Sequence, residues 1–253
     1  MTDILVHGGV RAKFPRIRLG IVRGSIDARV PDISERIAEM RVQAMAQLAR
    51  NGVNAETLET HPHVVGWRQT YEACGVKPKK FRPTHEALAR RLLRDGAWPE
   101  INPIVDVYLT NQVAHLLPHG GYDLAQISGP IRLRESSGGE AFAPLGGGAE
   151  ITEPGEVVYD DTVRVLTRRW NWRDADATKI TAETRTFLLM LEAADPMITD
   201  VAVEMATSDL VNRYRATHSG QFEGRFVIAD DQPIPLLPPG TVRFLPISAS
   251  RQH

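Results

Sequence analysis

The amino-acid sequence predicts an α+β fold in which a helical N-terminal half packs on an antiparallel sheet. Three observations lead to this prediction: apolar residues recur at helical spacing in most segments before Pro118, short β-type runs separated by glycine, proline and acidic turns follow Gly129, and helical spacing returns after Thr181. The 253 residues, 42% of them hydrophobic, are sufficient for a buried core. Because we find no internal repeat and no linker, we expect one domain over residues 1–232 and a proline-rich tail over residues 233–253.

The helical half begins with a strand. Apolar Ile17, Leu19 and Ile21 alternate there with arginines and glycine, which is the period-two pattern of a half-buried strand. The first helix is expected in PDISERIAEMRVQAMAQLARNG, where an Asn-Gly pair ends it. Its apolar face consists of Ile33, Ile37, Met40, Ala44 and Leu48. Three further helices are expected after Pro62, in RPTHEALARRLLRDG and in NPIVDVYLTNQVAHLLP.

The second half begins with strands and returns to helices. We expect antiparallel strands in GPIRLRES, EAFAPLG, GEVVYDD and VRVLTRRWNW. Helical periodicity predicts two more helices, in TAETRTFLLMLEAA and in ITDVAVEMATSDLVNRYRATHSG, and a last strand in GRFVIAD. The tail has four prolines between Pro233 and Pro239, so we expect an extended or partly disordered arm.

Composition limits the partners. The formal net charge is −1, so the chain has no overall basic field of the kind that gives non-specific nucleic-acid affinity, and any RNA contact must be local. A single cysteine, Cys74, excludes an internal disulfide and a multi-cysteine metal site. No apolar run approaches the roughly 20 residues of a membrane span, and the N-terminus has no basic leader. We therefore expect a cytoplasmic protein without a membrane partner.

Familiar catalytic motifs are missing from the sequence. It contains no GxSxG elbow, no phosphate-binding GxxxxGK[ST] loop and no HExxH pair, so covalent catalysis and nucleotide hydrolysis lack the residues that they need. The glycine-rich LGGGAE segment is expected to be a hairpin loop, and Asp160-Asp161 a turn. His61 and His63 are two residues apart and cannot share a helical face, so a polar helix entrance is favoured over a metal site. We expect no metal and no cofactor.

The segment RRWNWRD, residues 168–174, contains two of the four tryptophans beside three arginines. It is either an aromatic and cationic wall of a binding pocket or a strand that alternates between core and solvent. A continued strand would place Arg168, Trp170 and Trp172 on one face. Glu192 lies in the apolar run LLMLEAA, where it is either solvent-facing or a buried carboxylate that needs a partner.

The order of several motifs resembles the editing (B3/B4) domain of the phenylalanyl-tRNA synthetase beta chain. The motifs are INPIVDVYLTNQVAHLLPHGGYDLAQISGPIRLRESSGGEAF, GEVVYDD and TKITAETRTFLLMLEAADPMITD, within Arg82 to Ala216. Upstream, Gly66-Trp67 and the segment from Tyr71 to Leu88 look like the free-standing branch of that family. The resemblance implies a single editing-domain fold with a pocket for an amino acid esterified to tRNA. No class II catalytic core is present, so aminoacylation is not implied.

Some residues of this sequence match the family motif, and others are displaced from it. Val105-Asp106, Pro118 and Tyr122-Asp123 match the family motif, and Glu192 stands where the family has its pocket glutamate. The family's pocket asparagine falls on Leu109, two residues from Asn111, and its pocket histidine on Gly120, next to His119. The segment RRWNWRD replaces a glycine pair.

The resemblance implies Glu192 and His119 as catalytic residues. The residues that it and the local pattern indicate for substrate binding are Asn111, Gly120, Gly121, Asp123, Arg168, Trp170, Trp172 and Arg173.

Three functions remain open from the sequence. The first is a trans-editing hydrolase that removes a mischarged amino acid from tRNA, with water positioned by a carboxylate or imidazole. The second is a non-catalytic module that binds an RNA end or a small amino-acid-like ligand in the same pocket. The third is a metabolic hydrolase that acts on a free ester or amide. Whether the protein is an enzyme, and its oligomeric state, are not determined by the sequence.

Overall fold

Two large sheets, one two-stranded hairpin and six α-helices build the part of the chain that the computed structural model describes, residues 3–27 and 32–236. The helices are α1 (Gly8–Lys13), α2 (Ser34–Arg50), α3 (Pro62–Ala73), α4 (Thr84–Asp95), α5 (Pro103–His115) and α6 (Asp200–Thr217). The strands are β1 (Asp3–Val6), β2 (Arg18–Ile26), β3 (His119–Asp123), β4 (Ile131–Glu135), β5 (Ala141–Phe142), β6 (Glu150–Ile151), β7 (Val157–Asp160), β8 (Val165–Arg168), β9 (Arg173–Asp174), β10 (Thr186–Ala193), β11 (Gly220–Ile228) and β12 (Ile234–Pro235). The predicted α+β class is confirmed.

Helices α2 to α6 lie where the sequence predicts them, and local capping explains their ends. The His61 ring accepts a hydrogen bond from the His63 backbone at the start of α3, so the two histidines form a helix entrance. Asn102 caps α5 and Thr199 caps α6 in the same way. Gly96 ends α4 in the left-handed conformation, with φ of 67°. None of the helices in the described ranges is long and apolar enough to cross a membrane.

The first sheet has four antiparallel strands in the order β11-β2-β10-β3. Helix α6 packs across β2 and β11, and α5 packs against both α6 and α2. The helical half therefore lies against an antiparallel sheet, as predicted.

Strand β10 corrects one prediction. The segment TAETRTFLLMLEAA was expected to be a helix, but residues 186–193 form a central strand between β2 and β3. All its residues after Thr186 are buried, because α6 and the second sheet cover it. A strand that is apolar on both faces has no period-two alternation, so its pattern cannot be distinguished from that of a buried helix.

The second sheet has six strands in the order β12-β1-β4-β7-β8-β9. Strands β1 and β4 are parallel, and the other neighbours are antiparallel. The small hairpin β5-β6 contains the LGGGAE loop at its tip, as expected, and Gly146 to Gly148 all have positive φ. Of the two aspartates predicted in a turn, Asp161 accepts the backbone amides of Val163 and Arg164 there, whereas Asp160 is the last residue of β7 and pairs with Arg132.

The expected boundary at residue 233 stays a prediction. Ile234 and Pro235 pair with β1, so the first residues of the expected tail belong to the second sheet. Residues 237–253, on which the rest of the predicted arm falls, lie outside the described part of the chain.

Gly20 provides a test of the packing between α6 and β2. A Cβ at this position would lie 2.0 Å from Thr207 Oγ1, which is itself bonded to the Val203 carbonyl. We expect Gly20→Ala to lower the free energy of unfolding by about 1–3 kcal/mol through overpacking, as measured by urea denaturation.

Gly8→Ala is the matched control, because nothing lies within 4 Å of its new Cβ. Its effect should stay within about 0.5 kcal/mol. Equal losses of stability in the two variants would contradict this account of the interface.

Candidate functional site

A small pocket lies where the two sheets face each other. Its volume is about 40 Å³. The wall consists of Thr84, His119, Gly120, Tyr122, Tyr159, Thr167, Trp170, Asn171, Trp172, Arg173, Asp174, Met190 and Glu192. Strands β3 and β10 of the first sheet and the region from β7 to β9 of the second supply most of these residues.

Glu192 is at the base of this pocket, with only 3% of its surface exposed. Its Oε1 accepts hydrogen bonds from the Tyr159 hydroxyl and, at 3.0 Å, from the Trp170 indole nitrogen. Its Oε2 accepts one from the Asn171 amide nitrogen at 3.0 Å, and Tyr71 in turn donates to Asn171 Oδ1 at 2.7 Å. Of the two alternatives for Glu192, the buried carboxyl with partners is the one observed.

Burial raises the pKa of Glu192 from its ordinary value of 4.5 to about 7, although the three donors oppose this shift. The carboxyl group therefore titrates near neutral pH. A group with this pKa can take up or release a proton in a reaction at physiological pH.

Asp174 is a second acid in the same pocket. Thr167 donates to Asp174 Oδ1 at 2.6 Å, and the Thr167 hydroxyl also lies 2.6 Å from that of Tyr122. Burial raises the pKa of Asp174 to about 6, and its charge contributes to the raised pKa of Glu192. A cationic ligand would favour the ionised form of both groups, so the pocket is suited to an ammonium group.

A tight turn in RRWNWRD brings the Trp170 indole into contact with Glu192. Strand β8 ends at Arg168, and Arg169 and Trp170 follow in the left-handed region, with φ of 47° and 67°. The Trp170 ring packs edge-on between Phe14 and Trp67, with ring centroids 5.1 Å and 5.4 Å away. Strain of this kind in non-glycine residues persists only where the surrounding packing holds it.

The expectation of a continued strand through Trp172 was wrong. The turn after Arg168 separates its side chain from those of the tryptophans. Arg168 forms a two-pronged ion pair with buried Glu156, at 2.7 Å for each bond, and does not line the pocket. Trp170 and Trp172 both line the pocket, the first fully buried and the second partly exposed.

His119 lines the pocket, and each of its ring nitrogens faces an acceptor oxygen of the protein. Nδ1 lies 2.9 Å from the Leu117 carbonyl oxygen and Nε2 lies 2.6 Å from Asn111 Oδ1. The Asn111 amide nitrogen donates to Asp209 at 3.0 Å, and Asp209 also binds His115 at 2.9 Å. Burial lowers the pKa of His119 to about 3, so the imidazole is neutral at physiological pH and its single N–H can donate to only one of these two oxygens.

The other predicted substrate-binding residues divide into two groups. Gly120 and Arg173 are on the pocket wall, and a Cβ on Gly120 would meet nothing within 4 Å, so the backbone there is open to a ligand. Gly121 instead packs against Leu189 in the sheet. Asp123 caps the turn after β3 and accepts from Thr184 at 2.7 Å, outside the pocket. Asn111 does not line the pocket, and it contacts the ring of His119 instead.

Several lining residues escaped the sequence-based choice of a site. They are Tyr122, Tyr159, Thr167, Asn171 and Asp174. Asn171 and Asp174 belong to a segment that was singled out, whereas the two tyrosines come into reach only when the sheets pack together. No local sequence pattern predicts the contact between Tyr159 and Glu192, because these residues are 33 positions apart in the sequence. Within residues 3–27 and 32–236, no cluster of three or more histidine, cysteine, aspartate or glutamate side chains could hold a metal ion.

Comparison with known proteins gives a family match and a structural similarity. The sequence model of the B3/4 domain family matches residues 66–217, more than half of the chain. The structure is similar to that of an N-terminal fragment of the phenylalanyl-tRNA synthetase beta-subunit from Pyrococcus horikoshii, with a TM-score of 0.44 and 12% sequence identity. The match covers 87% of this chain and 50% of the fragment, so the chain spans about half the length of that fragment. Among curated proteins there is no match.

The raised pKa of Glu192 makes stability depend on pH. Because the folded-state pKa of about 7 lies above the ordinary 4.5, the folded state holds its proton more tightly than the unfolded state. The stability that this provides is complete below pH 4.5 and is lost as the pH rises through 7, by up to about 3 kcal/mol.

We therefore expect Glu192→Gln, which cannot ionise, to gain stability relative to the native protein between pH 4.5 and pH 8, as measured by urea denaturation at each pH. Asp176→Asn, an isosteric change two residues after Asp174 at a carboxylate that pairs with exposed Lys179, should show no such trend. A stability difference between Glu192→Gln and the native protein that is constant over this pH range would contradict the buried titration.

Proposed function

This chain belongs to the B3/4 domain family, and on that premise we propose that it binds the aminoacylated end of tRNA and hydrolyses the ester of a mischarged amino acid. The carboxyl groups of Glu192 and Asp174, enclosed in one small pocket with pKa values of about 7 and about 6, carry this proposal. An aminoacyl ester presents an ammonium group one carbon away from the carbonyl that is attacked. A pair of carboxyl groups can therefore serve both parts of the substrate.

Glu192 is the group that we assign to the substrate ammonium. Three donors hold its carboxyl group in one orientation, so little freedom is lost when a ligand binds. A bound ammonium would lower its pKa and keep it ionised. The charge pair would then fix the ester in one position, which is the main requirement of a reaction that depends on orientation.

Asp174 is the group that we assign to the attacking water. One of its oxygens accepts from Thr167, and no bond to the other occurs within the described residues. The water oxygen would bond to the ester carbon while Asp174 takes one of its protons. The bond from that carbon to the ribose oxygen then breaks, and the ribose oxygen takes the proton from Asp174. The products are the free amino acid and tRNA.

His119 receives a different role from the catalytic one that the resemblance implies. Because protein oxygen atoms lie within 2.9 Å of both ring nitrogens and burial lowers its pKa to about 3, His119 is poorly placed to take a proton from water. We propose that it shapes the pocket wall beside the open backbone of Gly120.

A second candidate is a binding module without hydrolysis. Both oxygens of Glu192 already accept hydrogen bonds from the protein, which suits a fixed ammonium receptor and leaves this carboxyl group poorly placed to activate water. Under this alternative the same pocket would bind an amino-acid-like ligand and leave its ester intact.

Hydrolysis is tested with purified protein in excess over tRNAs charged separately with each amino acid. We expect Asp174→Asn to reduce the rate of ester loss by at least about 100-fold, the usual contribution of a general base. The native rate should rise between about pH 5 and pH 7 as Asp174, with its pKa of about 6, becomes ionised. Asp176→Asn, which leaves the pocket unchanged, should retain the native rate.

If the native protein removes no amino acid from any charged tRNA, hydrolysis is excluded. Binding of non-hydrolysable amino acid amides, lost in Glu192→Gln, would then identify the second candidate. Full activity in Asp174→Asn would exclude that residue as the base and leave hydrolysis itself established.

Pocket size predicts which amino acids are removed. The volume of about 40 Å³ is far below the roughly 150 Å³ of a cavity that admits benzene. Glycyl, alanyl and seryl esters should therefore be hydrolysed faster than phenylalanyl or tyrosyl esters, by at least tenfold in kcat/KM. Equal rates for seryl and tyrosyl tRNA would contradict this size limit.

A further inference from the structure

Lysine is concentrated at one place in this chain. Three of the five lysines are Lys77, Lys79 and Lys80, and the other two, Lys13 and Lys179, pair with Glu135 and Asp176. The three clustered side chains are exposed, and none has an acidic partner among the described residues. A protein whose formal net charge is −1 thus has a local cationic segment between α3 and α4.

Aromatic rings adjoin these lysines and alternate with cations. The Lys80 ammonium lies 5.0 Å from the centre of the Phe81 ring, and the Arg169 guanidinium lies 3.9 Å from the centre of the same ring. Phe81 meets Trp172 edge-on with ring centroids 4.8 Å apart, and Arg169 is also 4.9 Å from the Trp172 ring. Both rings are only partly buried. We refer to Lys77, Lys79, Lys80, Phe81 and Trp172 as the basic-aromatic ridge.

A groove of about 320 Å³ runs beside the ridge. It is lined by Cys74, Gly75, Val76, Lys77, Lys80, Phe81, Glu153, Pro154, Glu156 and Arg169. Two glutamates also line the groove, and both form ion pairs with arginines: Arg169 lies 3.0 Å from Glu153, and Arg168 binds Glu156 at 2.7 Å. The unpaired charge in the groove is therefore positive.

The groove and the candidate pocket share one wall. Phe81 lines the groove, Trp172 lines the pocket, and the two rings are in contact. A polymeric ligand that occupies the groove can pass over these rings and place its terminal group in the pocket. A ligand confined to the pocket would have no contact with the lysines.

We propose that the basic-aromatic ridge binds single-stranded RNA through phosphates on Lys77, Lys79 and Lys80. A base would pack against the parts of the Phe81 and Trp172 rings that Arg169 and Arg173 leave exposed. This inference rests on the proposed function, because it assigns the strand to the RNA end whose last nucleotide carries the amino acid. The three lysine charges can neutralise a short run of phosphodiesters, and aromatic rings can pack against the faces of unpaired bases. An acidic peptide would satisfy the lysines, but its glutamate and aspartate side chains would have no flat surface to pack against the exposed parts of the rings.

The ridge is tested by fluorescence anisotropy with an eight-nucleotide RNA ending in CCA, titrated at several salt concentrations. The triple substitution Lys77→Gln, Lys79→Gln and Lys80→Gln should weaken binding at least tenfold. It should also reduce the slope of log affinity against log salt by about 2, since each phosphate of a single strand contributes about 0.7. Phe81→Leu should weaken binding at least fivefold and leave the salt slope unchanged.

The matched control removes three charges elsewhere, through Arg36→Gln, Arg50→Gln and Arg94→Gln on exposed positions of α2 and α4. Its affinity should stay within twofold of the native value. Thermal unfolding of every variant checks that the fold is intact. Equal weakening in both triple variants, no binding by the native protein, or equal affinity for a glutamate peptide of the same charge would each overturn the inference.

The two proposals can fail separately. If the native protein hydrolyses aminoacyl-tRNA and the lysine variant binds RNA as the native protein does, the ridge is wrong and the function stands. If RNA binds through the ridge and no ester is lost, the ridge stands and hydrolysis is excluded.

Discussion

The contact of Glu192 with three donors joins the two sheets of this fold. Glu192 belongs to β10 at the centre of the first sheet, whereas Tyr159, Trp170 and Asn171 belong to the second sheet and the turn after β8. A buried carboxyl group without hydrogen bonds would destabilise the folded state strongly, and so would donors without their acceptor. The relative position of the sheets and the protonation of one side chain are therefore linked. The pocket is the space that remains around this contact.

The turn that supplies two of these donors is itself held in place by charge. Arg168 and Arg169 lie on either side of the entry to the strained backbone, and both are engaged by glutamates on the β6-to-β7 region. The Arg168–Glu156 pair is buried on both sides. A buried ion pair adds little net stability compared with apolar packing, but removing one partner is strongly destabilising. The arginines of this segment thus fix the geometry of the tryptophans, although neither of the two lines the pocket.

The sequence was most informative where a local pattern decides the structure. The apolar face of α2, the prolines that begin α3 and α5, and the glycine that ends α4 are local signals, and each was interpreted correctly. Strand β10 was not, because an apolar run buried on both faces has no distinguishing period. Glu192 could be singled out as a polar residue in that run. Its partners could not, since Tyr159 and Asn171 reach it only through the packing of two sheets, and the left-handed turn at Arg169 and Trp170 broke the alternation expected there.

The order of strands in the second sheet determines when this protein can finish folding. Strand β1, near the start of the chain, lies between β4 and β12, and β12 ends at residue 235. During synthesis β1 can pair with β4 on one side, but its other edge exposes unpaired backbone groups until almost the whole described chain has been made. Exposed edges of this kind are templates for pairing with other chains. A nascent chain stalled before residue 234 would therefore expose an edge of β1 that can pair with other chains, whereas the short β12 covers this edge in the complete fold.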